Sequence, residues 1–266
     1  MVYNGISVAM TVHFSCTMCG KCCHDLRLPL SIDEALVWSE RGGDVQLFCE
    51  GIPWPVEPPE TDLLAAHKRG RSFPVMSGEL PVRIAVTVVA SFSGACPNLS
   101  EDMRCGAYED RPRVCRIYPA EVNPFVELVP SGKACPPEAW GDDKLVLVEQ
   151  GRLVDSETDR LIRLCRESDR NDANAKESLC FQLGASAAAI ANEGFTVYSA
   201  SRDTIISALK KARMENPDRA DRLGWTLISN RQSTVDTLVS VGAQSVSTAN
   251  TGAREFDYIG FFADAL

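Results

Sequence analysis

Two hydrophobic periods run through this chain, and they change character about halfway along it. In the first half, Ser31 is a capping serine followed by Asp33 and Glu34 at the positive end of a helix. The apolar residues that follow, up to Trp38, keep helical spacing, and Gly42-Gly43 ends the element. Residues 81–90 (PVRIAVTVVA) are dense in β-branched side chains and predict a buried strand, with residues 126–129 as a candidate partner. Residues 53–59 (PWPVEPP) read as an extended surface connection.

The second half follows the helical period. Residues 156–166 put Leu161, Ile162, Leu164 and Cys165 on one face. Residues 174–192 are alanine-rich and predict one long helix stopped at Gly194. Ser201 caps a third helix carrying Ile205, Ile206, Leu209 and Ala212, ended by Asn216-Pro217. Residues 232–241 predict a fourth helix, and residues 245–254 lack a period and are expected to be loosely ordered. The expected fold class is therefore α+β and mostly helical. An irregular, proline-rich, metal-stapled N-terminal region with a small antiparallel sheet precedes a helical C-terminal region.

Composition sharpens this division. A cut after Trp140 leaves nine of eleven cysteines, all three histidines and fourteen of fifteen prolines in the first part. Proline removes a backbone donor and fixes φ, so that part is expected to consist of short elements. We accordingly expect a cysteine-cluster metal-binding domain over residues 1–140 and a helical region over 141–266. The net charge of −9 opposes non-specific binding to nucleic acid or to an anionic membrane surface. No stretch has the basic start and apolar run of a signal peptide, and none approaches the roughly 20 apolar residues of a membrane helix. The expected location is cytoplasmic, where thiols stay reduced and serve metals or catalysis. The odd cysteine total also fits poorly with a closed disulfide framework.

The candidate chemistry lies in Cys16-Thr-Met-Cys19-Gly-Lys-Cys22-Cys23-His24. Two residues between cysteines let one turn aim both sulfurs at an ion, and Cys16, Cys19 and Cys22 continue that spacing as ferredoxin-type loops do. Gly20 suits a loop that wraps closely around a metal. Adjacent side chains of extended backbone point apart, so Cys23 either reaches a second ion or packs behind the first. Cys96, Cys105, Cys115 and Cys135 bring the grouped cysteines to eight, with Arg104, Arg111, Arg113 and Arg116 placed to offset thiolate charge. Cys49, Cys165 and Cys180 are expected to be core thiols. His24 is a weaker ligand candidate, and His13 and His67 weaker still. Tyr118-Pro119 is expected to pack beneath the site.

These segments resemble the YkgJ-type cysteine-cluster family over roughly residues 14–140, with an insertion-like stretch between Cys49 and Met76. Carrying the resemblance are the Cys-x-x-Cys-Gly-x-Cys-Cys start, Cys96-Pro-x-Leu99, and the run from Cys105 to Pro119 containing Tyr108, Arg111-Pro112 and Cys115-Arg116. The family is described as a proposed zinc- or iron-chelating domain, and a related cluster occurs in flagellin lysine N-methylases. The resemblance implies metal binding by Cys16, Cys19, Cys22, Cys23, Cys96, Cys105, Cys115 and Cys135, with Cys16, Cys19, Cys22 and Cys23 as the cofactor-binding loop.

Phosphate-binding, dinucleotide-binding, serine-hydrolase and zinc-protease motifs are absent, and the cysteine spacing differs from that usual in radical S-adenosylmethionine enzymes. The expected function is an iron-sulfur or iron-containing oxidoreductase or modification enzyme of unknown substrate. The alternative is a zinc-binding structural or accessory module without catalysis. An iron-sulfur cluster is the preferred cofactor and zinc the alternative. The expected partner is a protein or small molecule, not nucleic acid or membrane. No catalytic residue is assigned.

Overall fold

The computed structural model describes residues 11–214, 224–250 and 255–263. Seven α-helices and twelve strands are present among them. They gather into two compact units, and neither is continuous in sequence. One combines the segment ending at Leu26 with Phe92–Glu167; the other combines Arg27–Ser91 with the chain from Ser168 onward. The compositional cut after Trp140 falls inside the first of these.

The second unit is built on a nine-stranded mixed sheet. Its central pair is β3 (Val45–Pro53) and β5 (Leu80–Ser91), antiparallel from Val45 opposite Ala90 to Pro53 opposite Val82. The far edge of β5 carries β2 (Arg27–Leu30) and β4 (Ser72–Ser77). The other edge of β3 carries β9 (Gly194–Ser199) antiparallel and β8 (Ala187–Ile190) parallel. Beyond β8 lie the parallel strands β10 (Thr226–Ser229) and β11 (Ser245–Ser247), while β12 (Asp257–Gly260) pairs with β9.

Residues 81–90 do form a strand, and eight of the twelve residues of β5 are buried, Ile84 and Val88 fully. A near-continuous apolar run is what a sheet buried on both faces demands. Helix α1 (Ile32–Glu40) begins where expected: the Ser31 hydroxyl accepts the Glu34 N–H at 3.2 Å, and the Glu34 carboxylate accepts the Ser31 N–H at 3.0 Å. Helices α2 (Leu63–Gly70), α5 (Ala173–Gln182), α6 (Arg202–Met214) and α7 (Gln232–Ser240) complete this unit.

The first unit has little regular structure. A three-stranded sheet joins β1 (Val12–His13), β6 (Val146–Glu149) and β7 (Arg152–Leu153). A five-residue helix, α3 (Arg113–Ile117), and α4 (Ser156–Asn171), which runs on past Glu167, supply the rest. Apart from proline, the buried apolar side chains here, among the described residues, are Val12, Ile117, Ala139, Leu147, Leu161 and Ile162. Ile117, Leu161 and Ile162 form one small cluster, and Cys165 packs against it.

Several expectations are corrected. The chain is not mostly helical: 34% of the described residues are helix and 27% strand. The helical reading of residues 174–192 fails at Gly184, which adopts φ +69° after α5 ends, and Ala187–Ile190 then becomes the buried strand β8. Alanine favours helix by less than about 1 kcal/mol per residue, so burial between β3 and β10 overrides it. Residues 126–129 do not pair with β5, because β3 occupies one edge of that strand and β2 and β4 occupy the other. Part of the expected loose tail is strand β11, while residues 251–254 and the stop at Asn216-Pro217 lie outside the described residues. Among the described residues no helix is long and apolar enough to cross a membrane.

Because Ile84 sits fully buried in β5, Ile84→Ala is expected to destabilise the sheet unit by about 2–5 kcal/mol. Ser31→Ala, which removes only a helix cap, is expected to cost about 1 kcal/mol. Urea unfolding of the two variants beside the parent measures both.

Candidate metal centre

All eight grouped cysteines fall in the first unit, and Cys49 and Cys180 in the second. The N-terminal loop is anchored at its base by two backbone bonds. The Phe14 N–H reaches the Leu145 carbonyl at 2.8 Å, and the Ser15 N–H reaches the Ala139 carbonyl at 2.9 Å. The Phe14 and Trp140 rings pack at 4.9 Å.

From there the chain folds tightly around its sulfurs. The Met18 N–H donates to Cys16 Sγ at 3.4 Å, and the Lys21 N–H donates to Cys19. Farther on, the Asn98 N–H does the same for Cys96. In each case the donor lies two residues after the cysteine, so the loop aims a partial positive charge at the sulfur. The first two of these turns pass through left-handed backbone, with Met18 at φ 51° and Gly20 at φ 67°. At Gly20 an added Cβ would lie 2.8 Å from Met103 Cε and 3.0 Å from the Met103 carbonyl oxygen, so glycine is required there by both backbone and space.

A single 3-10 turn, Lys21–Cys23, then presents two thiols in succession. The expectation that Cys22 and Cys23 point apart is corrected: their thiols are hydrogen-bonded to each other. The 3-10 turn, unlike extended backbone, does not separate neighbouring side chains by a half rotation. Their other neighbours nevertheless differ. Cys22 interacts with Cys16 and Cys19, whereas Cys23 interacts with Cys96, Cys105 and Cys16.

The second cysteine segment is tied directly to the first. The Cys96 N–H donates to the Cys23 carbonyl at 2.7 Å, and the Asp25 N–H donates to the Gly94 carbonyl at 2.8 Å. A bridge between Leu99 and Cys105, with the Gly106 N–H on the Asn98 carbonyl at 2.6 Å, folds Cys105 back beside Cys96. Cys115 rides on α3 and interacts with Cys96, Cys23 and Cys105. Cys135 interacts with Cys22, Cys16 and Cys19.

The electrostatics follow from crowding like groups. Cys22 and Cys115 are each pushed up to about 12, chiefly by burial and then by neighbouring thiols. Cys23, Cys96 and Cys135 are raised mainly by burial. Cys19 is lowered by the Lys21 N–H first, with the Lys21 charge assisting. Of the four nearby arginines, Arg111 opposes the rise at Cys115 and stacks 3.8 Å over the Tyr108 ring. The remainder turn elsewhere: Arg104 to Asp102 at 3.8 Å, Arg113 to the Leu164 carbonyl at 3.2 Å, and Arg116 to Glu157 at 2.8 Å. The expected arginine screen is therefore corrected, because ion pairs and carbonyls claim three of the four.

Histidine contributes little. His24 Nδ1 lies 3.1 Å from the Gly20 carbonyl and His13 Nδ1 lies 2.9 Å from the Lys144 carbonyl, each fixing a backbone turn. His67 lies on α2 in the sheet unit. Tyr118 is more engaged than packing alone implies. Its hydroxyl accepts the Ala134 N–H at 2.8 Å and hydrogen-bonds Cys135, and burial raises it to about 12. The Cys115-Arg-x-Tyr118-Pro spacing is the signal that marks it in the sequence.

Among the described residues, no group of three or more His, Cys, Asp or Glu residues is placed so as to hold a metal ion. The thiols are gathered as neighbours without converging on a point. Their chemistry still fits a soft-ligand metal, because eight thiols and several N–H donors facing sulfur suit zinc or iron.

A family model titled "CxxCxxCC: Putative zinc- or iron-chelating domain" matches residues 15–136. The cysteine-rich segment is similar to this family over those residues. The CxxCxxCC match runs through Arg27–Ser91, which folds into the sheet unit. The stretch that leaves the cysteine unit is thus longer than the one between Cys49 and Met76. No curated protein and no solved structure matches the chain.

Tyr118→Phe removes the hydroxyl that orients Cys135. It is expected to weaken metal retention roughly 10–100-fold without unfolding the chain, as measured by competition with a chromophoric chelator.

Proposed function

We propose that the CxxCxxCC segment is a metal-stapled module in which thiolate-bound zinc or iron holds together a unit too poor in apolar residues to hold itself. The observation that carries this is the pairing of eight gathered thiols with so few buried apolar side chains, among the described residues, in the same unit. Cys16, Cys19, Cys22, Cys23, Cys96, Cys105, Cys115 and Cys135 would hold the metal. In a closed all-thiolate site the ion supplies folding free energy rather than an open coordination position. The chain's own contribution is the set of N–H groups aimed at Cys16, Cys19 and Cys96, which stabilise the thiolates before and after binding.

A second reading is favoured by the Cys16-x-x-Cys19-x-x-Cys22 spacing, which suits an iron-sulfur cluster and a redox role. Anaerobic purification separates the two readings. A brown protein whose charge-transfer absorbance bleaches with dithionite supports iron-sulfur chemistry; a colourless, zinc-loaded, folded protein removes it.

Two outcomes are expected for the metal itself. Chelation should expose the thiols of the cysteine unit to a thiol reagent, while Cys49 and Cys180, buried in the sheet unit, stay protected. Retention of all thiols in a protected state after complete metal removal would contradict the stapling role. Acid should also release the metal. Cys22 and Cys115 sit near 12 without metal, so both are protonated at neutral pH and must lose their protons to bind. Protons therefore compete, and affinity falls as pH falls. Proton release during metal titration in weak buffer measures this directly.

A further inference from the structure

We propose that Cys49 and Cys180 form a redox lock of the sheet unit, in which a peroxide converts the thiol pair into a disulfide between β3 and α5. The lock is independent of metal binding, since neither cysteine belongs to the grouped eight.

Packing holds the two thiols at one place. Cys49 lies in β3, opposite Val86 of β5 and Thr196 of β9, and Cys180 lies in the last turn of α5. The two are 0% and 1% exposed, and their side chains are hydrogen-bonded to each other. Both also adjoin Tyr198, whose hydroxyl accepts the Ala187 N–H at 2.8 Å and donates to the Ala187 carbonyl at 2.9 Å. A disulfide needs two sulfurs about 2.05 Å apart, and a hydrogen-bonded thiol pair is already held side by side.

Position in the chain gives the bond its consequence. The sheet unit is assembled from Arg27–Ser91 and from the chain after Glu167, and each segment supplies one member of the pair. With the thiols reduced, the segments are joined by strand pairing and packing, as where Glu50 and Gly51 pair with β8. With the thiols oxidised they are joined covalently, across the whole of Phe92–Glu167 that separates them in sequence. A cross-link that closes a long loop restricts the unfolded chain and so favours the folded one.

Hydrogen peroxide supplies the oxidising equivalents. One thiol, deprotonated as the site opens locally, attacks a peroxide oxygen; the O–O bond breaks, a sulfenic acid forms, and hydroxide takes up the released proton as water. The second thiol then attacks the sulfenic sulfur; the S–S bond forms, the S–O bond breaks and a second water leaves. The thiol pair loses two electrons and two protons, and the peroxide is reduced to two waters. A dithiol reductant reverses the bond by exchange.

The test treats the full-length chain with excess hydrogen peroxide, alkylates it under denaturing conditions and digests it without reductant. Mass spectrometry is expected to find the Cys49 and Cys180 peptides linked, with the mass of two hydrogens lost, and separate after dithiothreitol. Urea unfolding followed by tryptophan fluorescence reads the lock, because Trp38, Trp54 and Trp225 all lie in the sheet unit. The midpoint is expected to rise on oxidation and return on reduction, and the rise to be absent in Cys180→Ala. Cys49 and Cys180 found free, or linked to other cysteines, would overturn the proposal. So would a linked pair with an unchanged midpoint, or a rise that survives in Cys180→Ala. The linked peptides and their reversal are read on the parent chain, so the test stands even where the variant fails to fold.

Discussion

Like charge is the constraint on which the cysteine unit depends. Eight thiols are brought within electrostatic reach of one another, and burial pushes the most enclosed of them, Cys22 and Cys115, far from the thiolate state. Lys21 offers local relief at Cys19 and Arg111 at Cys115. Four thiolates around one point carry more negative charge than either can balance, so an ordered all-thiolate arrangement requires a bound cation. The surrounding loops make sense in that light. Left-handed turns at Met18 and Gly20 aim N–H groups at sulfur, a geometry that is worth adopting only where the sulfur is charged.

The two units differ in how much apolar surface they bury. The sheet unit follows the ordinary rule of apolar burial: β3 and β5 are covered along nearly their whole length, and Leu47, Ile84, Leu209 and Leu227 are fully enclosed. Even its two cysteines conform, since Cys49 and Cys180 are buried free thiols in hydrogen-bond contact. Among the described residues, the cysteine unit has a small apolar cluster around Ile117, Leu161 and Ile162, beside a three-stranded sheet of short strands. The insertion that carries half of the sheet departs after Leu26 and returns at Phe92. Arg27 and Ser91 are direct partners across β2 and β5. Its ends are therefore adjacent, and an insertion with adjacent ends can interrupt a loop without forcing the loop open.

How much of this was legible in the sequence varies by element. The helix after Ser31 was readable because its signals are local: a capping residue, an acid three positions on, and an apolar stripe. Strand β5 was readable because six of the ten residues 81–90 are β-branched and leave no competing period. Strand β8 was not, because Ala187-Ala-Ala-Ile190 is locally a helix and becomes a strand only between β3 and β10. The role of Arg113 and Arg116 was misread for a similar reason, since their partners Leu164 and Glu157 lie more than forty residues away.

By itself the sequence determined the tight course of the first cysteine loop, because Cys-x-x-Cys-Gly-x-Cys-Cys is a local pattern whose turns follow from spacing and from glycine's conformational freedom. It did not determine element length, since the proline-rich first 140 residues hold the nine-residue β3 and the twelve-residue β5. Tertiary structure alone decided the rest. It withdrew Arg27–Ser91 from the cysteine segment and gave it to the sheet, and it sorted Cys22 and Cys23 toward different neighbours. Both outcomes depend on pairings between residues far apart in the chain, which no local period encodes: Arg27 with Ser91, Cys23 with Cys96, Cys22 with Cys135.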